Sequence, residues 1–201
     1  MKTARLVTQT LTKFARTVKK SITSESRVVI IENNGRSCYP LCVPGKLKSL
    51  EEIKAIVVDA RTNGKKVAFT NGCFDLLHRG HVHVLRAARA CADLLIVGIN
   101  SDQSVKQIKG PTRPVLPESD RCELLGAMEM VDFVVLFNEP DPHNLISAIR
   151  PDVLVKGGDW HTEKIIGSDM VEEAGGRVVV VPYIKGFSTT EIIERIKNSD
   201  G

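Results

Sequence analysis

The sequence predicts an α/β fold, a doubly wound parallel sheet with helices on both faces and a basic extension at its N-terminus. Short, strand-like apolar runs recur at 67–70, 94–99, 133–137, 152–156 and 177–181. Runs that do not alternate with polar residues belong to strands buried on both faces. Segments of helical periodicity fill the intervals, and that alternation is the pattern of crossover-connected parallel strands. Gly, Asn, Asp and Ser gather just after several runs, where such a sheet binds its ligands.

The elements follow in order. Residues 1–26 are rich in Thr, Ser, Lys and Arg, with Glu25 the single acidic residue. Val7, Leu11, Phe14 and Val18 recur at helical spacing, so an amphipathic basic helix is one reading. A targeting or membrane-surface segment, a helix docked on a partner or its own domain, and a weakly ordered extension all fit, and the last is preferred. It lacks the long apolar stretch and cleavage site of a secretory signal. Residues 27–43 read as a hairpin turning at Asn33-Asn34-Gly35, with Pro40 confined to an edge. Pro44-Gly45 marks a boundary, which divides the chain into an extension over 1–46 and a catalytic domain over 47–201.

A helix spans 49–62 and ends at Asn63-Gly64, a C-cap pair. Beyond it, helices are expected at 80–91, 102–107, 117–129, 142–149, 163–174 and 189–197. No internal repeat appears. The 201 residues suffice for one substantial core, and the low aromatic content of 4% means that Val, Ile, Leu and Ala build it.

Charge narrows the function. Residues 1–50 hold ten Lys/Arg against two Glu, whereas the remainder holds 18 basic and 22 acidic side chains. The basic balance thus belongs to the leader, which argues against a nucleic-acid-binding core. No apolar run approaches membrane-spanning length, so a soluble, cytoplasmic protein is expected. Cys38, Cys42, Cys73, Cys91 and Cys122 are odd in number and scattered, which suits reduced thiols better than a disulfide framework or a zinc site.

The chemistry concentrates in Gly72-Cys73-Phe74-Asp75-Leu76-Leu77-His78-Arg79-Gly80-His81. The preceding strand ends at Thr70, and Gly72 allows backbone to approach a ligand. His78 and His81 fall on one face at the start of the next helix. A helix N-terminus offers free N–H groups and partial positive charge to polyphosphate. Imidazoles there can donate hydrogen bonds as charge builds on a leaving pyrophosphate. Gly80 leaves room for the nucleotide, and His83 is incidental. A histidine pair alone is more often a surface or core feature; the strand, loop and helix around it raise its weight. A zinc site would need a third ligand, and none stands at a suitable spacing.

The string Asn71 to His81 resembles the signature of the HxGH nucleotidyltransferases, a cytidylyltransferase-like superfamily with a Rossmann-like sheet. Lys109-Gly110-Pro111-Thr112-Arg113-Pro114, Val155-Lys156-Gly157-Gly158-Asp159 and Gly186-Phe187-Ser188-Thr189-Thr190-Glu191 most resemble the D-glycero-β-D-manno-heptose 1-phosphate adenylyltransferases within it. The resemblance covers about 47–197. It implies ATP and a sugar 1-phosphate as substrates, Mg2+ with the ATP, no protein-held metal, and a homodimer. His78, His81 and Lys109 are the implied catalytic groups, Lys109 in a Gly/Pro-bounded loop. Thr70, Asn71, Gly72, Cys73, Phe74, Lys156, Gly157, Gly158, Asp159, Ser188, Thr189 and Thr190 would bind nucleotide. Arg113 would hold the substrate phosphate, and Arg121 would either reach it or cap a surface. For Ser188 and Thr189, plain N-capping is an equal alternative. Asp75 would orient a histidine, help hold magnesium, or pack its loop. Glycerol-3-phosphate cytidylyltransferase shares the first motif and a segment near Trp160. Where that family carries an arginine before its final motif, this chain has Tyr183, with Lys185 nearer Gly186. A non-catalytic nucleotide sensor is the third reading.

Overall fold

The computed structural model describes residues 45–158, 165–182, 184 and 186–199. The amphipathic segment, the hairpin, Cys38, Cys42, Asp159, Trp160, Tyr183 and Lys185 lie outside the described residues.

The order is α1 (Leu50–Thr62), β1 (Val67–Gly72), α2 (Arg79–Ala90), β2 (Leu94–Asn100), α3 (Asp102–Lys109), α4 (Glu118–Gly126), β3 (Phe133–Phe137), α5 (His143–Ile149), β4 (Val153–Gly157), α6 (Ser168–Glu173), β5 (Arg177–Val181) and α7 (Thr189–Ser199). The strands form one parallel sheet in the order β3-β2-β1-β4-β5. The strand order reverses between β1 and β4, and it is in the crevice beyond the carboxyl ends at such a switch point that sheets of this kind bind their ligands.

Local chemistry explains the boundaries. Ser49 and Glu52 close a capping box at the start of α1, satisfying two backbone donors that would otherwise lack partners. The helices foreseen at 117–129 and 163–174 are shorter. Pro117 starts α4 without a side-chain cap, and Ala127 ends it. Gly167, at φ 84, sets the start of α6. Lys46 and Lys48 extend the pairing past β3 through backbone bonds to Val134.

Side-chain alternation assigns the faces of the sheet. Val67, Phe69 and Leu154 join the cluster beneath α1, α5 and α6, with Ile53, Ile146 and Val171. Ala68, Val153 and Val155 join the opposite cluster beneath α2 and α4, with Leu85 and Leu125. With a period of two, Asn71 and Lys156 then lie on the α1/α5 face, while Thr70 and Gly157 lie on the α2 face.

Gly157 shows why β4 ends in glycine. A Cβ there would stand 2.5 Å from Cγ2 of Val84, so α2 packs directly on its backbone. Gly157→Ala is expected to cost about 1–3 kcal/mol through overpacking. Urea denaturation checks this, and Val84→Ala should recover part of the loss. A loss below about 0.5 kcal/mol would show that α2 shifts freely.

Candidate active site

The signature begins at the end of β1. Gly72, expected in a loop, is still in the strand and pairs with Ile99 in register. The turn comes afterwards, where Phe74 and Leu76 hold φ values of 48° and 51°. Left-handed backbone at non-glycine residues costs energy and persists where surrounding contacts enforce it. Here the enforcement comes from Asp75, which sits between them and is 1% exposed. Its carboxylate accepts from Arg113 Nε at 2.6 Å and from the backbone N–H groups of Val115 and Leu116 at 3.0 and 3.1 Å. Burial alone would raise its pKa, but those N–H donors and the Arg113 charge outweigh it and hold the group below the usual carboxylate value. The Asp75 carbonyl also accepts from the Thr189 hydroxyl at 2.6 Å. Asp75 therefore fastens the 113–116 loop and the start of α7 to the signature turn. That is the loop-packing alternative.

His78 is the N-cap of α2, and its Nδ1 accepts from the Gly80 N–H at 3.1 Å. An accepting Nδ1 leaves the proton of the neutral ring on Nε2. His81 stacks on it with ring centroids 3.8 Å apart and 25° between planes, and meets Phe74 at 5.2 Å. Its Nδ1 is buried with no hydrogen-bond partner. A bare lone pair is the less costly occupant of that position, so its proton also belongs on Nε2. Burial, then the charge that His78 would carry, lowers the His81 pKa to about 3 against a partial offset from Asp75. Burial lowers that of His78 as well, with Glu191 opposing. Near neutral pH the pair is thus two neutral Nε2–H donors at a helix N-terminus.

Gly80 is confined by its neighbours. A Cβ there would lie 2.9 Å from His78 Cε1 and 3.2 Å from the Phe187 carbonyl. Glycine makes room for the histidine ring and the segment before α7, a constraint the sequence did not show.

The depressed His81 value carries a stability consequence. The unfolded ring titrates near 6.5 and the folded one near 3. Between these values the unfolded state binds more protons, so folding stability present above pH 6.5 declines as pH falls toward 3. Thermal melts from pH 7.5 to 4.5 should show a steeper fall for the wild type than for His81→Gln. Parallel curves would mean that the ring is not held neutral.

The cations are placed unequally. Lys109 is not in a loop: it closes the last turn of α3 before Gly110, exposed, and its charge acts on the Cys73 thiol at the end of β1. Arg113 is 15% exposed and paired to Asp75. Arg121, expected near a substrate phosphate or on the surface, does neither. It is 0% exposed and donates to the carbonyls of Cys73, Asn100 and Leu116 and to Asp102 Oδ1 at 2.7 Å. A guanidinium so engaged has little left for a ligand. It braces the carboxyl ends of β1 and β2 against the 113–116 loop. The signal in the sequence was the pair Asp102 and Arg121, too far apart for local rules to connect.

The remaining residues surround the crevice. Lys156 donates to Asn71 Oδ1 across the switch point, and Gly158 needs glycine for its φ of 131°. Thr70 is buried, and Thr190 is exposed. Ser188 caps α7 by accepting from the Glu191 N–H at 3.1 Å. His83 is exposed, and Cys73 and Cys91 are free thiols. Among the described residues no three His, Cys, Asp or Glu side chains group closely enough to hold a metal ion, and the Asp75 oxygens are already engaged. These residues do not form a magnesium cage. Nor, among the described residues, is any helix long and apolar enough to cross a membrane.

A parallel sheet whose switch point faces a helix N-terminus bearing two imidazoles is the architecture of a nucleotidyltransferase. The chain belongs to the cytidylyltransferase-like family, whose model matches residues 69–195. It is 50% identical over 151 residues to the bifunctional protein HldE of Trichlorobacter lovleyi, an alignment of 75% of this chain and 31% of that protein. It is 51% identical over 152 residues to HldE of Geotalea uraniireducens, covering 76% and 31%. The chain thus spans about a third of the length of these relatives, 31% in each. Among solved structures, it is similar to the lipopolysaccharide core biosynthesis protein of Thermoplasma volcanium, with 27% identity, a TM-score of 0.50, and coverage of 61% of this chain and 98% of that one. Pantoate-beta-alanine ligase from Francisella tularensis, at 15% identity, TM-score 0.50 and 78% coverage of both chains, shares the fold.

Proposed function

We propose that this enzyme is an adenylyltransferase that joins ATP and D-glycero-β-D-manno-heptose 1-phosphate, giving ADP-heptose and pyrophosphate for lipopolysaccharide core synthesis. The observation that carries the adenylyl-transfer chemistry is the stacked His78–His81 pair at the N-terminus of α2. The sugar is supported by the similarity to the HldE proteins and to a lipopolysaccharide core biosynthesis protein, together with the three later motifs.

The acceptor phosphate oxygen attacks the α-phosphorus in line. The bond from that phosphorus to the β-phosphoryl bridging oxygen breaks, and its electron pair leaves with pyrophosphate. A phosphate monoester is already anionic near neutral pH, so the site needs no strong base. It needs two anions positioned and their shifting charge stabilised. His78 and His81 donate to the triphosphate, and Lys109 adds a positive charge. Arg113, partly held by Asp75, meets the acceptor phosphate. The segment Thr70–Phe74, Lys156–Asp159 and Ser188–Thr190 form the nucleotide's surroundings. Mg2+ arrives with ATP as part of the substrate. In this reading residues 47–201 are the catalytic domain, 1–46 an extension, and the enzyme works in the cytoplasm as a homodimer.

Pyrophosphate release measured for ATP and CTP against a panel of sugar and polyol phosphates tests the assignment. ATP with heptose 1-phosphate should exceed every other pair by at least tenfold. A preference for CTP with glycerol 3-phosphate would give the cytidylyl reading, and ATP binding without turnover for any acceptor would mean a sensor.

A further inference from the structure

Lys156 is a cation out of place. By strand alternation it projects onto the α1/α5 face of the sheet, opposite to α2 and its imidazoles. The residues that meet this face from the helices are apolar: Ile53 from α1, Leu145 and Ile146 from α5, Met170 and Val171 from α6. Its neighbour on β5 in register is Val180, and β1 presents Asn71, whose amide oxygen accepts from the ammonium. No titratable or charged group among the described residues bears on it; burial alone lowers its pKa, to about 8. A part-buried ammonium whose partner among the described residues is a neutral amide is expensive to keep. At the carboxyl ends of β1 and β4, the α2 face of the sheet thus carries the imidazoles and the opposite face this cation.

We propose that Lys156 is an anion-binding residue whose ammonium, hydrogen-bonded to Asn71, donates to a phosphoryl oxygen when a phosphorylated ligand binds at the switch point. The inference rests on the nucleotidyltransferase reading of the site but not on which sugar is accepted. Its chemistry is that of a phosphate group, carried either by the nucleotide or by the acceptor. An anion beside Lys156 favours the charged amine, so binding at mildly alkaline pH draws a proton from the buffer onto Nζ. The other groups of the site do not contribute. The imidazoles, both with lowered pKa, stay uncharged at that pH even beside a phosphate, burial raises the Cys73 thiol despite Lys109, Arg121 and Arg113, and ligand phosphates are fully ionised there.

Isothermal titration calorimetry of the full chain at pH 8.5 and 6.5 tests this, using two buffers of different ionisation enthalpy. One arm titrates a non-hydrolysable α,β-methylene analogue of ATP, the other glucose 1-phosphate. The wild type should take up more than half a proton per ligand beyond Lys156→Arg at pH 8.5 in one arm, a difference that vanishes at pH 6.5, and that arm names the source of the phosphate. Lys156→Arg, which stays charged, should bind without uptake, and Lys156→Met should bind roughly ten- to hundredfold more weakly. Circular dichroism verifies that both variants fold. No uptake by the wild type in either arm, or the same uptake in Lys156→Arg, overturns the proposal. Uptake that persists in a protein lacking heptose transfer overturns only the substrate assignment.

Discussion

His81→Ala should lower turnover by about a hundredfold or more, the usual consequence of losing one donor aimed at developing charge. The rest of the site should stay in place, because the loop's anchors are elsewhere, at Asp75 and Arg121. The ring leaves a gap beside Phe74 and His78, so a modest drop in stability accompanies the loss. Pyrophosphate release under saturating substrate measures the first effect, and a thermal melt the second. The loss should fall mainly on kcat, since a donor that strengthens as the leaving group charges acts on the transition state. Activity within threefold of wild type would remove His81 from the chemistry.

Arg121→Met should be the most damaging substitution to folding, at about 3–5 kcal/mol. It leaves the Cys73, Asn100 and Leu116 carbonyls and the Asp102 carboxylate without their donor. For a chain of this size, that corresponds to a fall in melting temperature of roughly 10 °C. Lysine should not rescue it, because a single ammonium cannot span a fork of acceptors. Asp102 is one-third exposed on its side chain, so water can resolvate it and part of the penalty will be recovered. Urea denaturation reads the effect directly; a loss under about 1 kcal/mol would mean that Arg121 is not the brace described above.

The two substitutions separate what was legible in the sequence from what was not. The strands were legible because short apolar runs without polar alternation have few other uses, and Asn63-Gly64 announced the end of α1. The family signature was legible because strand, turn, paired histidines and helix are contiguous. Contacts between distant segments were not. Asp75 meets Arg113, Val115 and Leu116 some 38 to 41 positions later, and nothing local marks it as a fastener. Arg121 looked like a ligand because arginines in exposed first turns often are. Its burial depends on β1, β2 and the 113–116 loop meeting in space. Lys109 was assigned to a loop on the strength of the following Gly110-Pro111, yet glycine also ends helices, and the helix won. Gly80 was read from its surroundings in sequence, while its real neighbours are a ring two residues back and a carbonyl from Phe187.

The pairing of charges around the crevice has a bearing on what the enzyme ignores. Arg113 and Arg121 are offset by Asp75 and Asp102, and both imidazoles are uncharged. The positive charge left to draw a small anion is thus largely that of Lys156, whose partner is the neutral Asn71 amide, and of exposed Lys109. Inorganic phosphate, abundant in any cell, meets these isolated cations rather than a dense positive field and is expected to gain less there than a ligand that reaches Lys156 and the imidazoles together. Competition by small anions or polyanionic chains is therefore expected to be weak even at low ionic strength.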